Sequence, residues 1–298
     1  MTSLRTWARC LGAVRWVDDL RMRPATVEDY PAFLRLFSRL DLLFGPPGRE
    51  EFRELAPRLL LAESPGELLG MIAVRRMPRI ARISMLAVSP RAEGRGIARR
   101  MMLTVASQLR TEGIASWGLL VKRANLRALR LYRGLGMSER SRGWCLRAER
   151  SSLALLPSEA PGKPRPVGQG ELRKMERAFR IAGQLQRHLR HDARILVVEH
   201  GRRPVGVAGL RSDGPYIFVQ ATRIEAIRPL LCDLWPDEPV LPIFSNAPSV
   251  AEALVAVGAK LLMETAEMEG PLPAAATTTG PPLAHLLDAT NRAHDLTG

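Results

Sequence analysis

Apolar and polar residues change period several times along this chain, and each change marks an element. Leu20-Arg21-Met22-Arg23-Pro24-Ala25 alternates, as a strand buried on one face does. Thr26 comes next as a helix N-cap, with Glu28 and Asp29 in the first turn. The helix is expected from about Val27 to Leu40, with Leu34, Phe37 and Leu40 on one face. Gly45-Pro46-Pro47-Gly48 breaks the pattern, and Glu50 to Arg58 reads as a second short helix. Strands are expected over Leu59–Glu63 and Leu68–Arg75, with the turn Ser64-Pro65-Gly66 between them. Another turn, Met77-Pro78-Arg79, leads into a fourth strand, Ile80–Val88. The next helix carries Ile97, Met101, Val105 and Leu109 on one core-facing stripe, and Gly113 lies just past its end. A fifth strand is expected over Ala115–Val121, then a helix over Leu126–Leu135 with Asn125 as its cap. Ser138–Glu149 should form a final hairpin or pair of strands around Ser141-Arg142-Gly143.

Pro157 to Gly170 is rich in Pro, Gly and Ser and reads as a linker. Beyond it the outline repeats. Glu171–His191 is helical in pattern, and Arg194–Glu199, Pro204–Leu210 and Tyr216–Gln220 read as strands. Val240–Phe244 is followed by a helix over Pro248–Val257, then Gly258 and a last strand through Met268. Gly206 is the counterpart of Gly70, and Phe244-Ser245-Asn246 before a helix ending in Gly258 echoes the segment from Asn125 to Gly136. The tail from Pro271 is low in complexity, with one short helical stretch near Leu283–Ala293.

Composition narrows the class. The 298 residues are 46% hydrophobic and 25% charged, which suits a folded core and leaves room for two domains. No apolar run reaches the roughly 18 residues a membrane span needs. The first 19 residues mix Arg5, Arg9 and Arg15 with Trp7 and Trp16, which is not a signal-peptide pattern. Cys10, Cys145 and Cys232 show neither metal-ligand nor disulfide spacing, so a reducing, cytoplasmic setting is expected and no metal. The net charge of +14 lies wholly in residues 1–150, which hold 28 Lys and Arg against 14 Asp and Glu. Such a half favours anionic partners. Only four of the 44 basic residues are Lys, which points to a general Arg bias and disfavours nucleic-acid binding.

The chemistry concentrates in two stretches. In Leu86 to Ala98 an apolar strand ends in Ser89-Pro90, a turn holds Gly94 and Gly96, and a helix begins. Glycine permits positive φ and close ligand approach, and the first N–H groups of a helix have no partner within it. Such a turn cradles phosphate. No Lys-Ser or Lys-Thr follows the glycines and no third glycine completes a dinucleotide fingerprint, so both of those ligand classes are disfavoured. The second stretch, Asn125 to Met137, comes after the apolar run Trp117–Val121 and contains Tyr132 and Gly136.

In this order and at this separation, the stretches resemble the two signature motifs of the GNAT superfamily of N-acyltransferases. Arg91-Ala92-Glu93-Gly94-Arg95-Gly96 resembles the acyl-CoA pyrophosphate loop. Asn125 through Tyr132 to Gly136-Met137 resembles the Asn-x-x-Ala-x-x-x-Tyr-x-x-x-Gly-Phe segment, with Met137 in place of Phe. The resemblance implies an α/β (α+β) chain of two GNAT-like domains, each a mixed, mostly antiparallel central sheet flanked by helices. Residues 1–150 would be the acyl-CoA-binding catalytic domain, 151–170 a linker, 171–270 a degenerate GNAT-like domain and 271–298 a flexible tail. The second domain lacks the glycine cradle between Gln220 and Trp235. Matching Gly136 to Gly258 puts Leu254 where Tyr132 stands. It would shape the acceptor pocket as an internal version of a GNAT dimer, leaving a monomer possible.

The resemblance further implies acyl transfer, usually acetyl, from acetyl-CoA to a small-molecule or peptide amine. The backbone of Arg91 to Ala98, including Gly94, Gly96 and Ile97, would hold the pyrophosphate, with Arg91 and Arg95 either adding charge or remaining solvated. The strand edge Leu86, Ala87 and Val88 would pair with the pantetheine arm in a gap between the fourth and fifth strands. Tyr132 would give the departing thiolate its proton, and Asn125 would hydrogen-bond the cofactor or serve only as a cap. The family's usual strand carboxylate is replaced by Ser84, which at pH 7 is no base but can order a water. Glu28, Glu63 and Glu139 are the carboxylate alternatives, and every histidine lies in the second half: His188, His191, His200, His285 and His294. The different-class alternative is a non-catalytic acyl-CoA-binding sensor or interaction protein.

Overall fold

The computed structural model describes residues 20–40, 42, 45–65, 67–76, 80–157, 159, 161–181, 185, 194–210 and 216–274. The turns expected at 64–66 and 77–79 lie partly or wholly outside these residues. So do most of the 271–298 tail and the second half of the helix expected over 171–191. The chain divides into two compact units, neither continuous in sequence. One holds residues up to Leu120, Arg127–Ser138 and those from Met268 onward; the other holds Val121–Leu126 and Glu139–Glu267.

The first unit contains β1 (Arg21–Pro24), α1 (Tyr30–Phe37), α2 (Arg49–Leu55), β2 (Leu59–Ser64), β3 (Glu67–Arg76) and β4 (Ile80–Val88). It continues with α3 (Ile97–Thr111), β5 (Ser116–Lys122) as far as Leu120, and α4 (Leu126–Arg133) from Arg127. Pairing is antiparallel from β1 to β4 and parallel between β4 and β5. Phe33, Leu36 and Phe37 bury against Leu59, Leu61, Met71 and Ala73 on one face. The fully buried residues of α1 are Phe33, Leu36 and Phe37, while the expected Leu34 and Leu40 are half-buried and pack against the same core. A single turn of 3-10 helix at Val27–Asp29 comes before α1. In α3 the stripe Ile97, Met101, Val105 and Leu109 is buried as its spacing requires, each side chain contributing about 2 kcal/mol.

The second unit contains most of β6 (Ser138–Glu149), then β7 (Arg165–Pro166), α5 (Leu172–Ala178), β8 (Ile195–His200), β9 (Arg203–Leu210) and β10 (Ile217–Ala221). After these come α6 (Ile227–Leu234), β11 (Val240–Ser245), α7 (Pro248–Ala256) and β12 (Lys260–Pro271), which passes into the first unit at Met268. Pairing is antiparallel from β7 to β10, parallel between β10 and β11, and antiparallel between β11 and β6. Leu196, Val198, Ile217, Val219, Ile227 and Leu230 lie at its core.

Two expectations are corrected. Ser138–Glu149 is one strand of 12 residues, not a hairpin; it pairs with β11 from Trp144↔Ser245 to Glu149↔Val240, and the unbroken strand leaves no turn at Gly143. The expected linker contains β7, because Arg165 and Pro166 pair with Val197 and Leu196. A helix also occupies Ile227–Leu234, with Ile227, Leu230 and Leu231 buried, in the stretch that lacks the glycine cradle.

The two units use the same fastening. In the first, the Arg23 guanidinium grips Asp29 through two hydrogen bonds of 2.7 and 2.8 Å, reaches Glu63 at 3.0 Å, and donates to Pro24 O. In the second, Arg165 grips Glu171 at 2.9 and 3.0 Å, reaches Glu199 at 3.0 Å, and donates to Pro166 O. Both acids lie six residues after their arginine. Each hairpin slips register at the same point, between Ala62 and Glu63 and between Val198 and Glu199, with Gly70 and Gly206 paired just before the slip.

Candidate functional site

The site is assembled at the end of β4. The strand pairs with β5 at Ile80↔Ser116, Ala81↔Trp117, Arg82↔Gly118 and Ile83↔Leu119, and there the pairing stops. Ser84–Val88 runs on bound only to β3, so its outward backbone groups face a gap where a further strand would pair. A register shift against β3 falls at this point: Ala73 pairs with Met85 and Val74 with Ile83, leaving Ser84 as the extra residue of a bulge. Ser84 is exposed, with its hydroxyl 3.4 Å from Ala73 O. Leu86 and Val88 are half-buried and Ala87 is buried.

The cradle comes directly after the strand. Ser89 N–H donates to Leu69 O at 2.8 Å, and a 3-10 turn over Pro90–Ala92 redirects the chain. Gly94 and Gly96 have φ of 77° and 76°, which a side chain would strain, and the space where a Cβ would point is open at both. Gly96 is the N-cap of α3 and supplies no side-chain acceptor, so the first N–H groups, at Ile97 and Ala98, face outward. Arg91 and Arg95 are exposed beside them. Glu93 is held between Arg127 at 2.6 Å and Arg39 at 3.5 Å, which neutralises the loop's one carboxylate.

Tyr132 projects from α4 and is 7% exposed. Burial pushes its phenol up from 10.0 to about 12, so it is protonated at neutral pH and able to donate. The helix ends in Gly136 with φ of 85°; Leu135 and Met137 N–H both donate to Tyr132 O, at 3.0 and 3.1 Å. Arg99 on α3 donates to Gly134 O at 3.2 Å, tying the cradle helix to the end of the tyrosine helix.

Residues 17–137 match the acetyltransferase (GNAT) family. The fold is that of the GNAT acetyltransferases. The chain is 16% identical to a GCN5-related N-acetyltransferase from Sphaerobacter thermophilus, with a TM-score of 0.57 over 87% of this chain and 98% of that one. It is 12% identical to a GCN5-related N-acetyltransferase from Anabaena variabilis, with a TM-score of 0.51 over 84% of this chain and 72% of that one. No curated protein matches.

Within the GNAT segment, Asn125 is exposed in the turn before α4, its N–H donating to Lys122 O at 2.9 Å. Of the carboxylates considered as bases, Glu63 is bonded to Arg23, and Glu139 to Arg123 at 2.7 Å. Glu28 is held below the usual carboxylate range by its bond from Thr26. His200 is exposed at the end of β8, and the other four histidines lie outside the described residues. Among the described residues no group of three or more His, Cys, Asp or Glu is placed to hold a metal, and no helix is long and apolar enough to cross a membrane. The paired Arg-Pro clamps do not stand out from the sequence pattern alone. Their available signal is an Arg-Pro with an acid six residues after the arginine, twice in one chain.

Proposed function

We propose that this protein is an acetyl-CoA-dependent N-acyltransferase acting on a small-molecule or peptide amine. The observation that carries this is the unpaired edge Ser84–Val88 running into an open, glycine-lined helix start. The N–H groups of the turn and of Ile97 and Ala98 suit a pyrophosphate, and Arg91 and Arg95 can add charge. The backbone of Leu86, Ala87 and Val88 suits the amides of a pantetheine arm.

Acetyl-CoA would supply an activated thioester. The amine nitrogen forms the new bond to the carbonyl carbon as the carbon–sulfur bond breaks. Tyr132 hands its proton to the departing sulfur, and a water ordered by Ser84 carries away the proton lost by nitrogen. Tyr132 suits this role because it is protonated well above neutral pH.

We also propose that the second unit is a degenerate GNAT-like domain and the first the catalytic one, an internal pseudo-dimer that needs no second chain. The repeated clamp, register slip and strand directions support this reading. So does the similarity to the Sphaerobacter protein, which extends over far more than the family match.

Calorimetry with acetyl-CoA tests the first proposal, on the wild type and on Gly94→Glu/Gly96→Glu. Binding by the wild type and its loss in the variant is the expected result; a wild type that binds no acyl-CoA overturns it. The second reading, an acyl-CoA sensor, is favoured by one observation, the exposed serine at the bulge where a carboxylate base would be expected. Acyl-CoA binding without turnover across a panel of amines would select it.

A further inference from the structure

The first unit takes in a segment from late in the chain, the end of β12 from Met268 onward. Three bonds fix this segment. Leu272 N–H donates to Ala115 O at 3.1 Å, Arg110 on α3 donates to Pro273 O, and the Ser138 hydroxyl donates to Glu269 O at 3.5 Å. Gly270 is buried among them. A Cβ at Gly270 would lie 2.4 Å from Gly136 O, 2.9 Å from Met137 Cα and 3.0 Å from Gly136 C. All three are backbone atoms, so no side-chain rotation relieves the contact. Gly270 does not take a positive φ, so it is close approach and not conformation that calls for glycine here.

The two residues it touches are the stop of the tyrosine helix. Met137 N–H is one of the two donors that hold Tyr132 O, and Gly136 supplies the turn that brings it back. Gly270 therefore reaches Tyr132 through two backbone contacts, first to Met137 and then to the tyrosine carbonyl. Packed interiors pass such displacements on. Ordinary contact begins near 3.4 Å, so a methyl group at 270 would move the helix stop by about 1 Å. The phenol is held at about 12 by burial, and a helix end lifted by that much admits water to it. A misplacement on this scale costs a transfer reaction up to about 10²-fold.

We propose that Gly270, anchored through Ala115 and Arg110, is a positioning residue for Tyr132. It seats the end of the helix at the depth that keeps the phenol buried. The consequence for transfer rests on the acyltransferase reading, whereas the placement of the phenol does not.

The test is fluorine NMR of the full chain labelled with 3-fluorotyrosine, beside acetyl-CoA calorimetry and turnover read as coenzyme A thiol released with a panel of amines. The Tyr132 resonance is the one lost in Tyr132→Phe. In Gly270→Ala its ionisation midpoint should fall by about half a pH unit or more. Turnover should fall about tenfold or more, with acetyl-CoA affinity held within about twofold. Gly162→Ala makes the same kind of backbone contact in the second unit, 2.5 Å from Glu199 O, and should leave midpoint and turnover at their wild-type values. An unmoved midpoint in Gly270→Ala, or an equal fall in Gly162→Ala, overturns the proposal. If Gly270→Ala fails to fold by circular dichroism, Arg110→Gln decides. It releases the segment at Pro273 and should lower the same midpoint by less; an unchanged midpoint overturns the proposal. A wild type that binds no acetyl-CoA would sink the acyltransferase reading and keep the placement of the phenol. An unmoved midpoint beside intact turnover would sink the placement and keep the reading.

Discussion

Residues 132–137 and residues 254–259 are two helix ends built from the same hydrogen bonds. Gly136 and Gly258 both take positive φ, and the next residue donates back five positions, Met137 N–H to Tyr132 O at 3.1 Å and Ala259 N–H to Leu254 O at 2.9 Å. The side chain at the shared position is a phenol in one and an alkyl group in the other. The turns that begin α3 and α6 differ similarly. The first has two glycines of positive φ and an open face; the second is Thr222-Arg223 and a short 3-10 turn, with Ala226 buried. Backbone architecture has recurred while the chemistry has not. Helix ends, clamps and register slips satisfy the backbone's own hydrogen bonds, so they persist in a unit that lacks the glycine cradle.

The sharpest way to break this comparison is at the cradles. Gly96→Glu should weaken acetyl-CoA at least 100-fold by calorimetry, through strain at positive φ and a carboxylate beside the phosphate. Thr222→Glu at the other turn should change it less than twofold. Comparable losses would mean that the second unit also binds the cofactor.

The helix ends come next. Tyr132→Phe should lower kcat by about 10²–10⁴-fold with acetyl-CoA affinity held, the range for loss of a general acid. Leu254→Met should leave kcat unchanged. A spectrophotometric titration should show one tyrosine ionising near pH 12, absent in Tyr132→Phe. The folded value lies above the unfolded one, so this contribution to stability is complete below about pH 10 and is lost as pH rises through about 12.

The smallest effects are expected at the clamps, where the units are alike. The bonds from Arg23 and Arg165 hold Asp29 and Glu171 at about 2, below their ordinary values of 3.8 and 4.5. Folded values below unfolded ones mean stability that is present above about pH 4.5 and lost as pH falls toward 2. Both arginines are more than a third exposed, so solvent screens the pairs and the effects are modest. Arg23→Gln and Arg165→Gln should each flatten the acid limb of a melting-temperature profile to a similar degree. A change in only one would mean that the clamps are alike in form but not in strength.

Much of the first unit was legible from the chain. Ile80–Val88 appears with the expected bounds, and the stripe from Ile97 to Leu109 is buried throughout. A period of two or of about four is a local signal, and burial simply tracks it. The glycine turn and Tyr132 were legible as well, because positive φ and a helix stop need particular residue types at particular spacings. In α1 the expected Leu34, Phe37 and Leu40 do meet the core, and Phe33 and Leu36 join them because a helix packed on a sheet buries a stripe wider than one row.

The sequence by itself determined the strand and helix order of the first unit, the cradle, the tyrosine, and the lack of a counterpart to either in the second half. Tertiary structure decided the rest. It decided that Ser138–Glu149 continues as one strand into the second unit and that the last strand ends in the first. It also placed Ser84 in a bulge and brought Glu267 and Asn246 to Ser141, and Thr265 to Gly143, from more than 100 residues away in the chain. The division has a physical reason. Turn chemistry and hydrophobic period act over a few residues and leave their mark in sequence. Which strand a given edge accepts depends on what else competes for it, and only the assembled sheet settles that.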